Sequence, residues 1–483
     1  MLAMKICRGG NRGGYVKLTP NLGGLMVRRI IVPTLIAAAC VQSCTGQEPT
    51  EPRTDSRVAA LVEAISPSRL RQIVATLAAF GTRNTLSDTT SPDRGIGAAR
   101  EWIFKELQRS GAKLQVSFDV YQLAQQARIT RPVELRNVVA ILPGRSSRRI
   151  YITAHYDTVN IGPQAQIGAI TQPPGATVPD AQLNPAQDYN VAAPGADDNG
   201  SGTALTMELA RVLAGSGIDF DATLVFALWA GEEQGMFGSR AHARRLREAN
   251  VPVEADFNSD IVGGAHGGDG VIDAATVRVY AQGPEDSMSR SLARYIERAA
   301  ALYVPSHKVR LMAREDRFSR ASDSVAFTAQ EFPAVVFRES KENFARQHGS
   351  GDTPDGVDVD YLARNARVTV AAAALLALAP PAPRVVNEKG QPLIGRQPSG
   401  YDANLRWLGS PGAVGYRVYR RTPWANTWES SRSLDNVTQF VGSGASIDDW
   451  VFGIAAVGQG GHESLISAYV PRPRTDPGIK FAK

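Results

Sequence analysis

Thr223-Leu224-Val225-Phe226-Ala227-Leu228-Trp229-Ala230-Gly231-Glu232-Glu233-Gln234-Gly235 is the stretch on which the fold turns. Its first seven residues form an apolar run of strand length, and Met236 to Leu246 has its apolar positions at helical spacing. Glu232 and Glu233 therefore stand at the C-terminal end of a strand, the edge of an open α/β sheet where ligands bind. Consecutive residues leaving a strand point in different directions, so one carboxylate suits a metal and the other a base beside it. Two acids opening a helix also suit its dipole, and this stretch alone leaves both readings open.

Working outward, the same event recurs. Ile150-Tyr151-Ile152-Thr153-Ala154 is an apolar strand delivering His155-Tyr156-Asp157, a metal-ligand type followed by an acceptor that can orient it. Gly195-Ala196-Asp197-Asp198-Asn199-Gly200-Ser201-Gly202 opens a helix running to about Leu213, where Asp and Asn are also ordinary caps. Ala255 to Asp260 is a short strand ending in an acid, and Pro333 to Phe337 is another that leads to His348. Alternation of strand and helix from Arg149 predicts an α/β fold, a mixed, mostly parallel sheet with helices on both faces. His155, Asp198, Glu232, Glu233, Asp260 and His348 would then meet on one edge. Two imidazoles and three carboxylates suit two zinc ions, with open positions left for water. His266 lies in a glycine-rich loop poorly suited to hold a metal, and His242, His307 and His462 read as structural or surface residues. The segment from Asn160 to Gly195 is long for a loop and reads as a substrate-pocket wall or as disordered decoration.

The chain has 483 residues, 43% apolar and 21% charged, enough for two or three domains. Its net charge of +6 is confined to one end: Lys5, Arg8, Arg12, Lys17, Arg28 and Arg29 precede residue 45, where there is no acid. Of the 53 basic residues this leaves 47 to face all 47 acids, so no nucleic-acid partner is expected. Residues 1–44 read as a targeting segment: Met26 to Arg29 is a positive start, and Ile30 to Ala39 is an apolar run too short to span a membrane. Cys40 or Cys44 resembles a bacterial lipoprotein box, which leaves lipid attachment to a membrane and simple secretion both open. The expectation is an exported bacterial protein: periplasmic, outer-membrane lipoprotein or extracellular. Residues 45–56 form a tether, 57–379 the main domain, 380–385 a linker, 386–474 an all-β sandwich and 475–483 a tail. No G-x-S-x-G, Walker loop or C-x-x-C is present, so serine-hydrolase, nucleotide and redox readings have no starting point.

From roughly Arg136 to Ala379 the motifs A-H-Y-D, G-A-D-D-N-G-S-G, A-G-E-E-Q-G, N-S-D and Q-H-G-S-G-D-T occur in order. In these the chain resembles the co-catalytic di-zinc aminopeptidases, in the peptidase family that also holds glutamate carboxypeptidase, glutaminyl cyclase and the transferrin receptor ectodomain. The resemblance implies peptide substrates and two zinc ions, one held by His155 and Asp260, the other by Glu233 and His348, with Asp198 bridging. It implies Glu232 as the general base toward a bridging water and Asp157 as the support of His155. It points to Asp198 rather than Asp197, because the family's bridging acid stands three residues before the Ser of the closing Ser-Gly. Two positions depart from the family: Ser324 where His often follows Asp323, and Phe344 where Tyr is common. A carboxypeptidase, a cyclase or a silent peptide-binding protein are the alternatives. The C-terminal module resembles a fibronectin type III domain, through its early Trp407, its G-Y-R-V-Y-R strand and its F-G-I-A-A-V strand. Trp424 and Trp428 are its candidate contact aromatics, with core or incidental placement the alternative.

Overall fold

A computed structural model describes residues 54–126, 128–161 and 189–471. The leader, nearly all of the tether, most of the Asn160–Gly195 segment and the tail therefore lie outside the described residues.

Eight strands form one sheet in the order β1-β2-β4-β3-β5-β8-β6-β7. In chain order they are Gln115–Leu123, Val133–Leu142, Arg149–His155, Thr223–Trp229, Val253–Ser259, Thr276–Ala281, Lys308–Met312 and Ala334–Glu339. The four central strands, β4, β3, β5 and β8, run parallel to their neighbours in that set. Strand β2 meets β4 antiparallel, and β6 meets β8 antiparallel, which makes the sheet mixed.

Strands β3 and β4 are covered on both faces, which is why they read as nearly unbroken apolar runs. Ile150, Ile152, Ala154, Leu224, Phe226 and Leu228 turn toward a core shared with helices α1 (Ser56–Glu63), α2 (Pro67–Ala79), α3 (Gly95–Arg109), α4 (Gly200–Gly215), α6 (Met288–Tyr303) and α8 (Val359–Leu378). Tyr151, Val225, Ala227 and Trp229 turn the other way, toward α5 (Phe237–Glu248) and α7 (Ser324–Thr328). The break between α1 and α2 falls where Ser66 accepts the Arg69 N–H at 3.3 Å and Pro67 takes the first helical position.

Beyond α8 come two antiparallel sheets. One holds β13 (Gln439–Gly442), β10 (Ala403–Arg406) and β9 (Ile394–Gly395); the other holds β12 (Ser430–Leu434), β11 (Ala413–Arg421), β14 (Val451–Gly458) and β15 (Ser467–Ala468). Val385, Leu405, Trp407, Tyr416, Val418, Phe452, Ile454 and Tyr469 form the core of this module, so Val385 belongs to it rather than to a linker. The module is seated on α6: Arg421, 1% exposed, pairs with Asp286 at 2.5 Å, and Ser291 bonds both the N–H and the carbonyl of Ile466. Trp424 is 81% exposed, whereas Trp428 packs on Tyr419 with ring centroids 5.9 Å apart.

Candidate metal centre

Because β4, β3, β5 and β8 are parallel, the residues following each emerge on the same edge. His155 ends β3, Glu232 and Glu233 follow β4, and Asp260 follows β5. Tyr156 N–H donates to the Trp229 carbonyl at 3.0 Å and Asp260 N–H to the Phe337 carbonyl at 3.2 Å, so these exits are tied together. Asp198 arrives from the other side, one residue before Asn199, whose side chain caps α4 by accepting the Gly202 N–H at 2.9 Å. A Cβ on Gly202 would stand 2.3 Å from the Ser259 carbonyl, so only glycine lets this helix start approach β5 so closely. Gly195, at φ +53, makes the preceding turn, where a Cβ would meet Thr158 at 2.1 Å.

The five expected ligands and Glu232, the expected base, lie together. His155 Nε2 lies 3.4 Å from Asp198 Oδ1 and 3.6 Å from Asp260 Oδ1, while His348 Nε2 lies 3.0 Å from Asp198 Oδ2 and 3.3 Å from Glu233 Oε2. The two oxygens of Asp198 thus face different histidines. Glu232 Oε2 stands 3.9 Å from His155 Nε2, and the donor atoms of His155, Glu232 and Glu233 lie within 4.8 Å of one another. Glu233 Oε1 is buried without a hydrogen-bond donor among the described residues. Buried carboxylate oxygens without donors are costly, and a cation relieves that cost. Imidazole and carboxylate together are the donor types that zinc takes, so the residues present fit two such ions.

Asp157, the expected support of His155, meets that imidazole mainly through its backbone carbonyl. His155 Nδ1 sits 3.2 Å from the Asp157 backbone carbonyl and 3.7 Å from its carboxylate. The side chain instead accepts the backbone N–H of Glu232 at 3.1 Å and of Glu233 at 3.2 Å, and the Thr85 hydroxyl at 3.3 Å. It fixes the turn that carries the two glutamates. Carbonyl acceptance at Nδ1 leaves Nε2 to face the acids, the tautomer a metal ligand needs.

Charge is concentrated here. Burial, reinforced by Asp323, Asp260 and Asp157, holds the Glu232 carboxyl well above its ordinary range. Burial also pushes Asp198 up, but His155 and His348 outweigh it and hold that carboxyl well below. Two backbone positions are strained: Ile261 at φ 57 directly after Asp260, and His348 at φ 52. A β-branched residue in the left-handed region costs about 1–3 kcal/mol, which the surrounding hydrogen bonds must offset.

Residues 137–373 match the sequence profile of Peptidase family M28. A probable zinc metalloprotease of Pyricularia oryzae is 35% identical over 451 residues, 85% of this chain and 84% of that protein. The chain belongs to peptidase family M28. A second relative, a probable zinc metalloprotease of Leptosphaeria maculans, is 34% identical and covers 84% of this M28 chain and 95% of its own length. Among solved structures, the Legionella pneumophila LapA aminopeptidase superposes with a TM-score of 0.50 at 20% identity, over 69% of this chain and 78% of that one. That likeness shows the fold alone.

The relatives correct one expectation. Both curated relatives are fungal, and fungal cells have neither a periplasm closed by an outer membrane nor outer-membrane lipoproteins, so the bacterial periplasmic or lipoprotein placement is not supported.

Several residues of this M28 peptidase were not singled out by the sequence reading. Asp352 accepts the N–H of Asp197 at 2.9 Å and of Asp198 at 2.8 Å, fixing the Asp198 turn as Asp157 fixes the glutamate turn. Its signal was its place in Q-H-G-S-G-D-T. Arg83, wholly buried, donates to the carbonyls of Tyr156, Leu77, Pro194 and Gly195 and so binds the His155 and Asp198 loops to the end of α2. Ser322 donates to Asp260 Oδ2 at 2.6 Å, and Arg338 approaches Asp260 Oδ1 at 3.0 Å. His266 is exposed and belongs to none of the donor groups among the described residues.

Proposed function

We propose that this chain is a two-zinc aminopeptidase that removes N-terminal residues from peptides. The observation that carries the reading is the division of Asp198, one oxygen 3.4 Å from His155 and the other 3.0 Å from His348. His155 and Asp260 would hold one ion, Glu233 and His348 the other, and Asp198 would bridge them. Zinc in these places supplies fixed positive charge that polarises a carbonyl and acidifies water.

Glu232, on that edge with Oε2 3.9 Å from His155 Nε2, accepts the proton of the attacking water. Once protonated it donates to the nitrogen of the leaving amine as the peptide bond breaks. Asp157 keeps the Glu232 backbone in place through this cycle. The full set of five ligands with a base beside them favours a two-metal hydrolase over a one-metal cyclase, and the resemblance to the di-zinc aminopeptidases supports trimming from the N-terminus.

The test is a mass-spectrometric time course on the purified protein with zinc, using one peptide pool in free and N-acetylated forms, with a chelator control. Stepwise loss of N-terminal residues from the free pool alone, abolished by chelator, is the expected result. Trimming from the other end, cyclisation of N-terminal Gln, or no reaction would replace it with the carboxypeptidase, cyclase or binding-protein reading respectively.

A further inference from the structure

The two halves of the donor cluster differ in one respect that the ligand types do not reveal. Arg338 is fully buried at the end of β8 and is locked by Asp316, whose two carboxylate oxygens take Nε at 3.0 Å and Nη2 at 2.8 Å. The remaining nitrogen, Nη1, donates to the Asp260 backbone carbonyl at 3.1 Å and stands 3.0 Å from Asp260 Oδ1. That oxygen is the one turned toward His155. The other, Oδ2, accepts from the Ser322 hydroxyl. Both oxygens of Asp260 are therefore already engaged, one of them by a cation that cannot swing aside.

Glu233 differs: Arg128 donates to its backbone carbonyl at 3.0 Å, but among the described residues no guanidinium pairs with its carboxylate. Its side-chain ion-pair contact among the described residues is with His348, and its Oε1 is buried without a hydrogen-bond donor. A buried guanidinium is little screened, so it opposes any second cation that uses the same carboxylate oxygen.

We propose that Arg338 makes the two halves unequal, so that zinc fills the Glu233/His348 half first and the His155/Asp260 half last, and leaves them in the reverse order. This rests on the two-zinc reading above. The late half is the one that exchanges its metal, and Arg338 with Asp316 sets its affinity from outside the ligand set. Losing a hydrogen-bonding partner of a metal ligand typically weakens affinity by about 10–100-fold; Arg338 acts with the opposite sign because its charge opposes the ion, and an effect of about 10-fold or more is expected.

The test follows the imidazoles during a zinc titration of chelator-stripped protein with isotope-labelled histidine, which the six histidines of the chain make tractable by nuclear magnetic resonance. His155 and His348 signals are assigned by single substitution. At one equivalent the His348 signals move and those of His155 do not; at two equivalents both have moved. His155 moving first, or both moving together, overturns the order. No zinc-dependent change in either imidazole would instead overturn the two-zinc reading itself, so the two failures are distinct. The cause is tested by calorimetry on the Arg338→Met, Asp316→Leu double variant, with Arg338→Gln used where circular dichroism finds the double variant unfolded. A late binding step tightened by about 10-fold or more, with the early step unchanged, is expected. An unchanged late step would remove Arg338 as the cause.

Discussion

Asp157 Oδ1 accepts the backbone N–H of Glu232 at 3.1 Å. Its second oxygen takes the next N–H, that of Glu233, so a single buried carboxylate sets the backbone of both the proposed base and a proposed ligand. Asp157→Asn keeps the size but turns an amide N–H₂ toward one of these donors. The expected result is a loss of about 10–100-fold in kcat/KM or zinc affinity with little change in melting temperature. Steady-state kinetics and metal analysis on the same preparation check it, and wild-type values in both would mean that the turn holds itself.

Glu232 is the proposed proton carrier. Glu232→Gln should lower kcat by about 10²-fold or more while zinc content stays at the wild-type value, because His155, Asp198, Glu233, Asp260 and His348 are all retained. Retained turnover in a zinc-loaded variant would exclude this residue as the base.

Asp198 faces both histidines, so its loss is felt in both halves of the site. Asp198→Ala is expected to abolish binding of both ions, whereas Glu233→Ala should remove one. Elemental analysis after dialysis separates these outcomes, and full occupancy in Asp198→Ala would place the bridge elsewhere.

His307 gives a pH dependence unrelated to the metals. It is buried, its Nε2 lies 2.6 Å from Asn365 Oδ1, and its Nδ1 has no partner. Burial holds its pKa below the ordinary value, so the unfolded chain binds a proton that the folded chain does not. The stability this contributes is fully present above the unfolded value of about 6.5 and is lost as pH falls from there through the folded value, at up to about 1.4 kcal/mol per pH unit. Denaturant unfolding between about pH 7 and pH 5 should therefore show a smaller loss for His307→Gln than for the wild type. Equal losses would mean that His307 is protonated in the fold.

Much of this site was legible in the sequence because each donor stands where an apolar strand or a glycine-rich turn abruptly stops. Ile150–Ala154 and Thr223–Trp229 are covered on both faces, so they carry no charged residue until the chain leaves the sheet. Strands β6 and β7 escaped notice for the opposite reason: Arg278, Lys308 and Arg310 interrupt them near the sheet edge, and short charged segments do not read as strands. Arg338 was illegible for a different reason. An arginine closing the run Ala334-Val335-Val336-Phe337 reads as the first solvated residue after a strand, and only the position of Asp316, 22 residues earlier, makes it a buried partner of Asp260. Sequence adjacency put Asp157 beside His155, but not beside the backbone N–H groups of Glu232 and Glu233, because those lie 75 and 76 residues further along the chain.

The central claim is a reaction that depends on two ions and one base on a single sheet edge. The most direct measurement is the rate of N-terminal residue release from a short free peptide as zinc is returned to chelator-stripped protein, with bound metal counted at each point. The account predicts that release tracks occupancy up to two ions per chain and stays about 10²-fold lower throughout in Glu232→Gln. Full activity with no bound metal, or equal rates in the variant at equal occupancy, would contradict it.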